Sequence, residues 1–540
     1  MDIEFRGPIH TLSGPPQESL VVSEGTIAHI GEPVHGISRT VVDLDGAVLL
    51  PAFVDSHAHP MAVGMRRLGL PIADPAVRSL EELLRSVARR HRELPKGRWL
   101  TGQGYDEGKW PEKRVPTREE LDVAAPDRPV FLTRSCGHHA VANTRAFELA
   151  GLWNEYKDLF GIERDASGHP TGGIHEMTAL SAMSQAVPRP DESELLRACE
   201  EASRYFTRLG VVHASDLCAG LEAYAEWDVY QEAERTGQLR MGIDVFVEAT
   251  HALTHGLPQS LPKAERDGGF RNRGKDQPLV TLGGVKCLAD GSISGSTAAV
   301  SEPFLSTGGN GLLTTDRDTL LGAVSLCRRE NLQLAVHAMG DRAIDFVLDT
   351  LRPNGERLPG GQPALTLEHV SLPSRRAIDR LARGQAGVST QPIFPYAEIE
   401  SYLAHLGEDR TRASYPIRSL LEAGVEVALS SDAPSTASAD PANPWLGIAL
   451  AVHRVAKQGF VLAPEERLGL TEALTLASAG GSDLRGLGLR GRLAAGYKAD
   501  FALWALDPFE AGPERLFGET ALATVREGRF LHGDQRFRAR

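Results

Sequence analysis

Eight short runs of apolar and β-branched residues recur along this chain, and most are separated by stretches whose apolar residues repeat at three and four positions. The first lies within residues 51–60, and the others at residues 211–216, 240–248, 280–289, 332–337, 365–369, 385–391 and 425–432. Segments such as SELLRACEEASRYFTRLG and RDTLLGAVSLCRRENLQ stand between them with the period of amphipathic helices. A chain that alternates strand and helix in this way is expected to be α/β and to close a parallel sheet into a (β/α)8 TIM barrel. Catalytic side chains of such barrels stand at the carboxyl ends of the strands, so the way each run ends carries the functional information.

The first run, PAFVDSHAHP, ends in two histidines one residue apart. Residues i and i+2 of a strand point the same way, so His57 and His59 would chelate an ion at one point. Alone, such a pair is weak evidence, but other runs end with partners for it. GGVKCLADG carries Lys286, QLAVHAMGD ends at His337, LTLEHV ends at His369, and VEVALSSDAP ends at Asp432, with Pro434 stopping the strand. Four imidazoles, a lysine and a carboxylate on separate strands of one barrel point to divalent metal, with zinc as the expected ion. An ammonium has no lone pair to give. Lys286 therefore either carries a carbamate, which could bridge one metal on His57 and His59 and another on His337 and His369, or is ion-paired with Asp290 or Asp432.

Outside the barrel, SLVVSEGTIAHIGE and TVVDLDGAVLL near the start and GRLAAGYKADFALWAL near the end share a short-strand, glycine-turn texture. Residues 1–50 and 491–540 are expected to pair into one β-sandwich domain, around a barrel of residues 51–60 and 191–490. Residues 61–190 read as an inserted α/β subdomain, with SVARRHREL helical, RPVFLTRS a strand, and a helix starting at Thr117 with Glu120 three residues on. Lys plus Arg total 58 against 71 for Asp plus Glu, and the net charge of −13 argues against nucleic acid or an anionic membrane as partner. Cys136, Cys199, Cys218, Cys287 and Cys327 show no CxxC spacing, and no uncharged apolar run reaches 18 residues. The expectation is a cytoplasmic protein with a small-molecule substrate; a homodimer is a candidate assembly.

Taken together, PAFVDSHAHP, YDEGKWPEKRVPTREELD, RPVFLTRSCGHHAVANTRA, GHPTGGIHEM, GGVKCLADGSISGSTA, LAVHAMGDRA, LEHV, TQP, LSSDAP and GRLAAGYKADFALW resemble the amidohydrolase superfamily. Within it the chain resembles amidohydrolase family 3, the YtcJ-like group, and is similar to N-substituted formamide deformylases. The resemblance implies a distorted (β/α)8 barrel, a β-sandwich from both chain ends and an insert after strand one. It implies metal ligands at His57, His59, His337 and His369, a carboxylated lysine at Lys286, and a catalytic aspartate at Asp432 that can also touch metal. Two positions depart from the family pattern: Ala52 replaces a glycine, and Cys136 replaces an aspartate in a stretch that could contact substrate. Glu176 keeps a glutamate bridge open in place of Lys286.

The implied reaction is hydrolysis of a C–N bond, amide-type and of an N-acyl or N-formyl amine, by a metal-activated hydroxide, with Asp432 moving the proton. Trp110, His138 and Asp290 are candidates to line the substrate pocket, and each can equally be scaffold. A mononuclear zinc deaminase of the same superfamily would leave Lys286 free. An inactive binding protein on this fold should have lost ligands, and none is missing.

Overall fold

Apolar strands that are buried on both faces need a parallel sheet closed by helices, and that is how the eight runs are used. The computed structural model describes residues 2–33, 39–73, 76–135, 139–153, 159, 161–219, 226–258, 278–384, 386–436, 438–533 and 537. Chain contacts separate it into two units. One comprises Met1–Met61, Ala202–Ala433 and Pro441–Arg540, and the other Ala62–Glu201 with Pro434–Asp440.

The first unit contains an eight-stranded parallel sheet whose strand order follows the chain. Its strands, called barrel strands one to eight here, are Phe53–Ala58, Val211–Ala219, Gly242–Glu248, Val280–Leu288, Gln333–Ala338, Leu365–His369, Gly387–Thr390 and Val427–Leu429. Strands eight and one lie at the two ends of this order, and the chain links them just beyond the ladder. Asp432 N donates to His57 O at 2.7 Å and His59 N to Ala433 O at 2.8 Å. The Asp55 carboxylate adds a third tie, accepting Ser431 N at 3.0 Å. The sheet is thereby a nearly closed barrel, as the alternation of runs predicts.

Beside the apolar cluster of Leu217, Phe246 and Ala335, the barrel buries polar side chains where this fold usually stacks aliphatic layers. Ser56, Gln333, Thr366, Glu368, Ser389 and Arg485 are all buried, none more than 0% exposed. Buried polar groups must be hydrogen-bonded to be tolerated, and these are bonded to one another. Ser56 Oγ meets Ser389 Oγ at 2.8 Å, and Ser389 Oγ meets Ser430 Oγ at 2.8 Å.

Both chain ends join a second sheet in the same unit. The strands Ile3–Ile9, Gln17–Ser23, Thr26–Gly31, Thr40–Asp43 and Val48–Pro51 come from the start, and Phe501–Trp504, Ala523–Arg526 and Arg529–Gly533 from the end. Val48–Pro51 runs antiparallel to Phe501–Trp504. Phe5, Ile9, Leu20, Leu49, Phe501 and Val525 form its apolar core. Phe53 ties this sheet to the barrel: its ring packs edge-on to Trp445 at 5.5 Å and tilted against Trp504 at 6.1 Å.

The second unit holds a six-stranded sheet whose core includes Leu83, Val87, Leu100, Leu121 and Leu132. Helix Leu80–Glu93 is capped by Ser79. Thr117 and Glu120 form the capping box that their spacing predicts, at the start of helix Arg118–Ala124. No helix among the described residues is long and apolar enough to cross a membrane.

Gly210, which leads into barrel strand two, has φ +81°, and a Cβ there would lie 2.7 Å from Trp504 Cζ2. Gly210→Ala is expected to destabilise the first unit by about 2–4 kcal/mol, left-handed backbone strain and overpacking together. Urea unfolding followed by tryptophan fluorescence checks it; an unchanged midpoint would remove this contact from the packing argument.

Candidate metal centre

Barrel strand one delivers His57, fully buried, and the residues just past its end deliver His59, which is partly open. Asp432 meets them from beyond strand eight. His59 Nε2 lies 3.0 Å from Asp432 Oδ1, and His57 Nε2 lies 3.4 Å from the same oxygen. One donor atom from each of these three side chains falls within 4.8 Å of the others. The rings of His337 and His369 are 4.4 Å apart, and His369 is 5.0 Å from His57. The four histidines and Asp432 that the run endings single out are thus brought to one place.

Three of the four imidazoles are held from behind by a hydrogen-bond acceptor, which fixes the nitrogen left to face a metal. His57 Nδ1 donates to Glu368 Oε2 at 2.8 Å, His369 Nδ1 to Gln391 Oε1 at 2.7 Å, and His337 Nε2 to the Gly291 carbonyl at 3.0 Å. Asp216 Oδ1 stands 3.7 Å from His59 Nδ1, and its other oxygen accepts from Tyr230 Oη at 2.5 Å. Glu368, Gln391, Asp216 and Tyr230 are absent from the sequence reading. Asp216 and Gln391 close the second and seventh runs, so the rule applied to the other strand ends would have found both.

Lys286 is buried at 1% exposure, and its Nζ is 3.4 Å from His57 Nε2. Among the described residues no ion pair to Asp290 or Asp432 accounts for it. Burial pushes its ammonium down from the ordinary lysine value, although the Glu368 carboxylate opposes this. Burial also works against ionisation of Asp432, yet the His57, His59 and His369 imidazoles hold its carboxyl far below the usual range. For His59, burial would lower the pKa, but Asp216 and Asp432 outweigh it and raise the ring to about 9. The donor set fits a divalent cation: neutral imidazoles with fixed tautomers, one ionised carboxylate, and a proton on His59 that such a cation would replace.

Asp290 and Trp110 are placed differently. Asp290 spends its carboxylate on the backbone, accepting Met339 N at 3.0 Å, Gly340 N at 2.9 Å and Ala299 N at 2.9 Å. It also lies 3.4 Å from His337 Nε2, so it braces the ends of strands four and five. Trp110 is buried at 1% exposure in the core of the second unit, its ring 5.9 Å from Tyr105. His138 lies outside the described residues, as does Cys136. Glu176 opens helix Glu176–Ala186, and its side chain is likewise outside them.

The family model described as "Amidohydrolase family" matches residues 40–532. Protein YtcJ of Bacillus subtilis (strain 168) is 29% identical over 543 residues, 97% of this chain and 98% of its own length. The N-substituted formamide deformylase of Arthrobacter pascens is 26% identical over 522 residues, 95% and 94% of the two chains. A solved structure of an uncharacterized metal-dependent hydrolase from Pyrococcus furiosus superposes with TM-score 0.72 at 26% identity. It covers 94% of this chain and 100% of that one.

Asp290→Asn turns at least one backbone N–H toward an amide NH2, so it is expected to cost about 1–3 kcal/mol of stability. Thermal unfolding checks this; a raised KM with unchanged stability would instead make Asp290 a substrate contact. In protein stripped of metal, His59 is expected to stay protonated until about pH 9. Its raised pKa means that the folded form holds the proton more tightly than the unfolded chain. The resulting stabilisation is complete below about 6.5 and disappears as pH rises through about 9. NMR titration of the histidine rings decides it, and a ring that titrates near 6.5 would break the Asp216 and Asp432 argument.

Proposed function

The chain belongs to the amidohydrolase family, and we propose that it is a metal-dependent hydrolase cleaving a C–N bond other than a peptide bond. The observation that carries this reading is the convergence of His57, His59 and Asp432 on one point, with donor atoms within 4.8 Å of one another. The similarity to an N-substituted formamide deformylase favours N-formyl and N-acyl amines as the substrate class.

His57 and His59 would hold one divalent ion with Asp432, and His337 and His369 would hold a second. Such an ion supplies Lewis acidity and makes water a nucleophile near neutral pH. Lys286 suits the bridge between the two positions. Burial favours its neutral amine, and only a neutral amine adds to carbon dioxide, giving a carbamate anion and releasing one proton. Zinc is the ion that imidazole and carboxylate donors of this kind favour.

Asp432 is the residue that moves protons. It faces His57 and His59, is ionised, and has its backbone fixed by the hydrogen bond to His57 O at 2.7 Å. It accepts the proton of the attacking water and passes it to the leaving nitrogen as the C–N bond breaks, so that acid and amine leave in balance. Asp432→Asn keeps the shape and one acceptor oxygen but cannot carry the proton.

Metal-replete protein is expected to hydrolyse members of a panel of N-formyl and N-acyl amines and to carry two divalent ions by plasma emission. A count of one with deamination of amino-substituted heterocycles would favour a mononuclear deaminase instead. His57→Ala combined with His59→Ala should empty at least one site, and full metal content in that variant would sink the assignment. Asp432→Asn should retain most of its metal and lose at least about a hundredfold in kcat. Near-normal turnover would take Asp432 out of the chemistry, and metal lost in proportion to rate would make it chiefly a ligand.

A further inference from the structure

Behind the histidines, on the side away from the barrel mouth, lies a buried ion pair with no part in the chemistry described above. Arg485 ends the short helix Gly481–Arg485, and both it and Glu368 are 0% exposed. The guanidinium uses every one of its N–H groups inside the barrel. Nε donates to Ser56 O at 2.9 Å, and Nη2 to the same oxygen at 2.6 Å and to Glu368 Oε1 at 3.0 Å. Nη1 donates to Gln333 Oε1 at 2.8 Å and to Thr366 Oγ1 at 3.0 Å. Its flat face lies over the Phe246 ring, 4.8 Å from the centroid. The cation is therefore tied to strands one, five and six at once.

Glu368 is equally occupied. Oε1 accepts from Arg485 and from Thr366 Oγ1, the latter at 2.8 Å, which leaves Oε2 aimed at His57 Nδ1 at 2.8 Å. An ionised carboxylate can only accept. His57 must then carry its proton on Nδ1, and the lone pair sits on Nε2, the nitrogen 3.4 Å from Asp432 Oδ1. We infer that Glu368, locked in place by Arg485, is the positioning residue of this metal centre, setting the tautomer and ring angle of His57. The inference rests on the metal-dependent reading of the site. It assigns a role to two residues that touch neither the expected ions nor the substrate.

Structural service alone would make the pair dispensable to metal binding once the fold is kept, and that separates the two roles. Removing one member leaves a buried charge unpaired, so a single variant can fail to fold. The double variant Glu368→Gln with Arg485→Met removes both charges. The experiment titrates cobalt(II) into full-length, metal-stripped protein, comparing wild type, Glu368→Gln and the double variant, with visible absorption as readout and circular dichroism to establish folding. Wild type is expected to bind cobalt with a ligand-field spectrum. Every folded variant is expected to lose about 10- to 100-fold in affinity and to show an altered spectrum. A folded double variant with the wild-type spectrum and affinity would overturn the positioning role and leave the metal reading intact. Wild type that takes up no cobalt or zinc would overturn the metal reading itself, and the positioning role with it.

Discussion

The barrel closes at its mouth through two backbone hydrogen bonds, and both are made by residues of the site or their neighbours. Asp432 N reaches His57 O, and His59 N reaches Ala433 O. His59 and Asp432 are 373 residues apart in sequence, yet this seam sets their separation without help from any long loop. Peptide groups give the spacing a stiffness that side chains alone would lack. The chain accepts strain to make it. Asp432 has φ 52°, and at the end of strand six His369 has φ 73° and Val370 φ 49°, values that L residues with side chains seldom adopt. Three left-handed residues at two strand ends, all beside the same cluster, are strain held where orientation matters.

A second consequence concerns the barrel interior. Replacing a buried ion pair by well-packed apolar side chains is often neutral or stabilising, so stability does not explain why Arg485 and Glu368 occupy the place of aliphatic layers. What a polar interior offers is direction. A leucine beneath His57 would support the ring by contact and leave it free to turn, whereas Glu368 accepts from one nitrogen only. The serine chain from Ser56 through Ser389 and Ser430 to Gln391 does the same for His369, since Gln391 Nε2 donates to Ser430 Oγ at 2.8 Å while its oxygen faces His369 Nδ1. Ligands on neighbouring strands are thereby tied into one network.

Most of the barrel was legible because it is written in short-range pattern. Each strand is a run of apolar residues and each covering helix a period, and outside the barrel the capping box at Thr117 likewise needs only two residues at a fixed spacing. The histidines and Asp432 were legible for a related reason: strand ends are where such a fold exposes chemistry. Arg485 was not, because nothing local marks it. It lies 117 residues from Glu368 and 429 from Ser56, and its helix looks like any other short helix. Glu368 does leave a trace, a carboxylate in the apolar run LTLEH, but it stands beside a histidine that alone accounts for the way that run ends. Asp290 shows the opposite limit. The residue type and position suit a substrate contact, and only the three backbone donors converging on it reveal a brace.

The histidines also differ in what stands behind them, and that difference grades them as donors. His57 is backed by a carboxylate, His369 by an amide oxygen and His337 by a backbone carbonyl. An acceptor that carries charge draws the ring proton more strongly and leaves the opposite nitrogen more basic. By this ordering His57, backed at 2.8 Å by a carboxylate, is the strongest of these three donors. The charge that strengthens His57 would be a liability if it could wander or protonate. Burial opposes its ionisation, but its charged neighbours, the Arg485 guanidinium foremost, keep the Glu368 carboxyl below its usual range. The guanidinium under the barrel floor and the imidazole at its mouth are therefore one device: a fixed cation holds a carboxylate ionised, and the carboxylate points a lone pair at the place where His57, His59 and Asp432 meet.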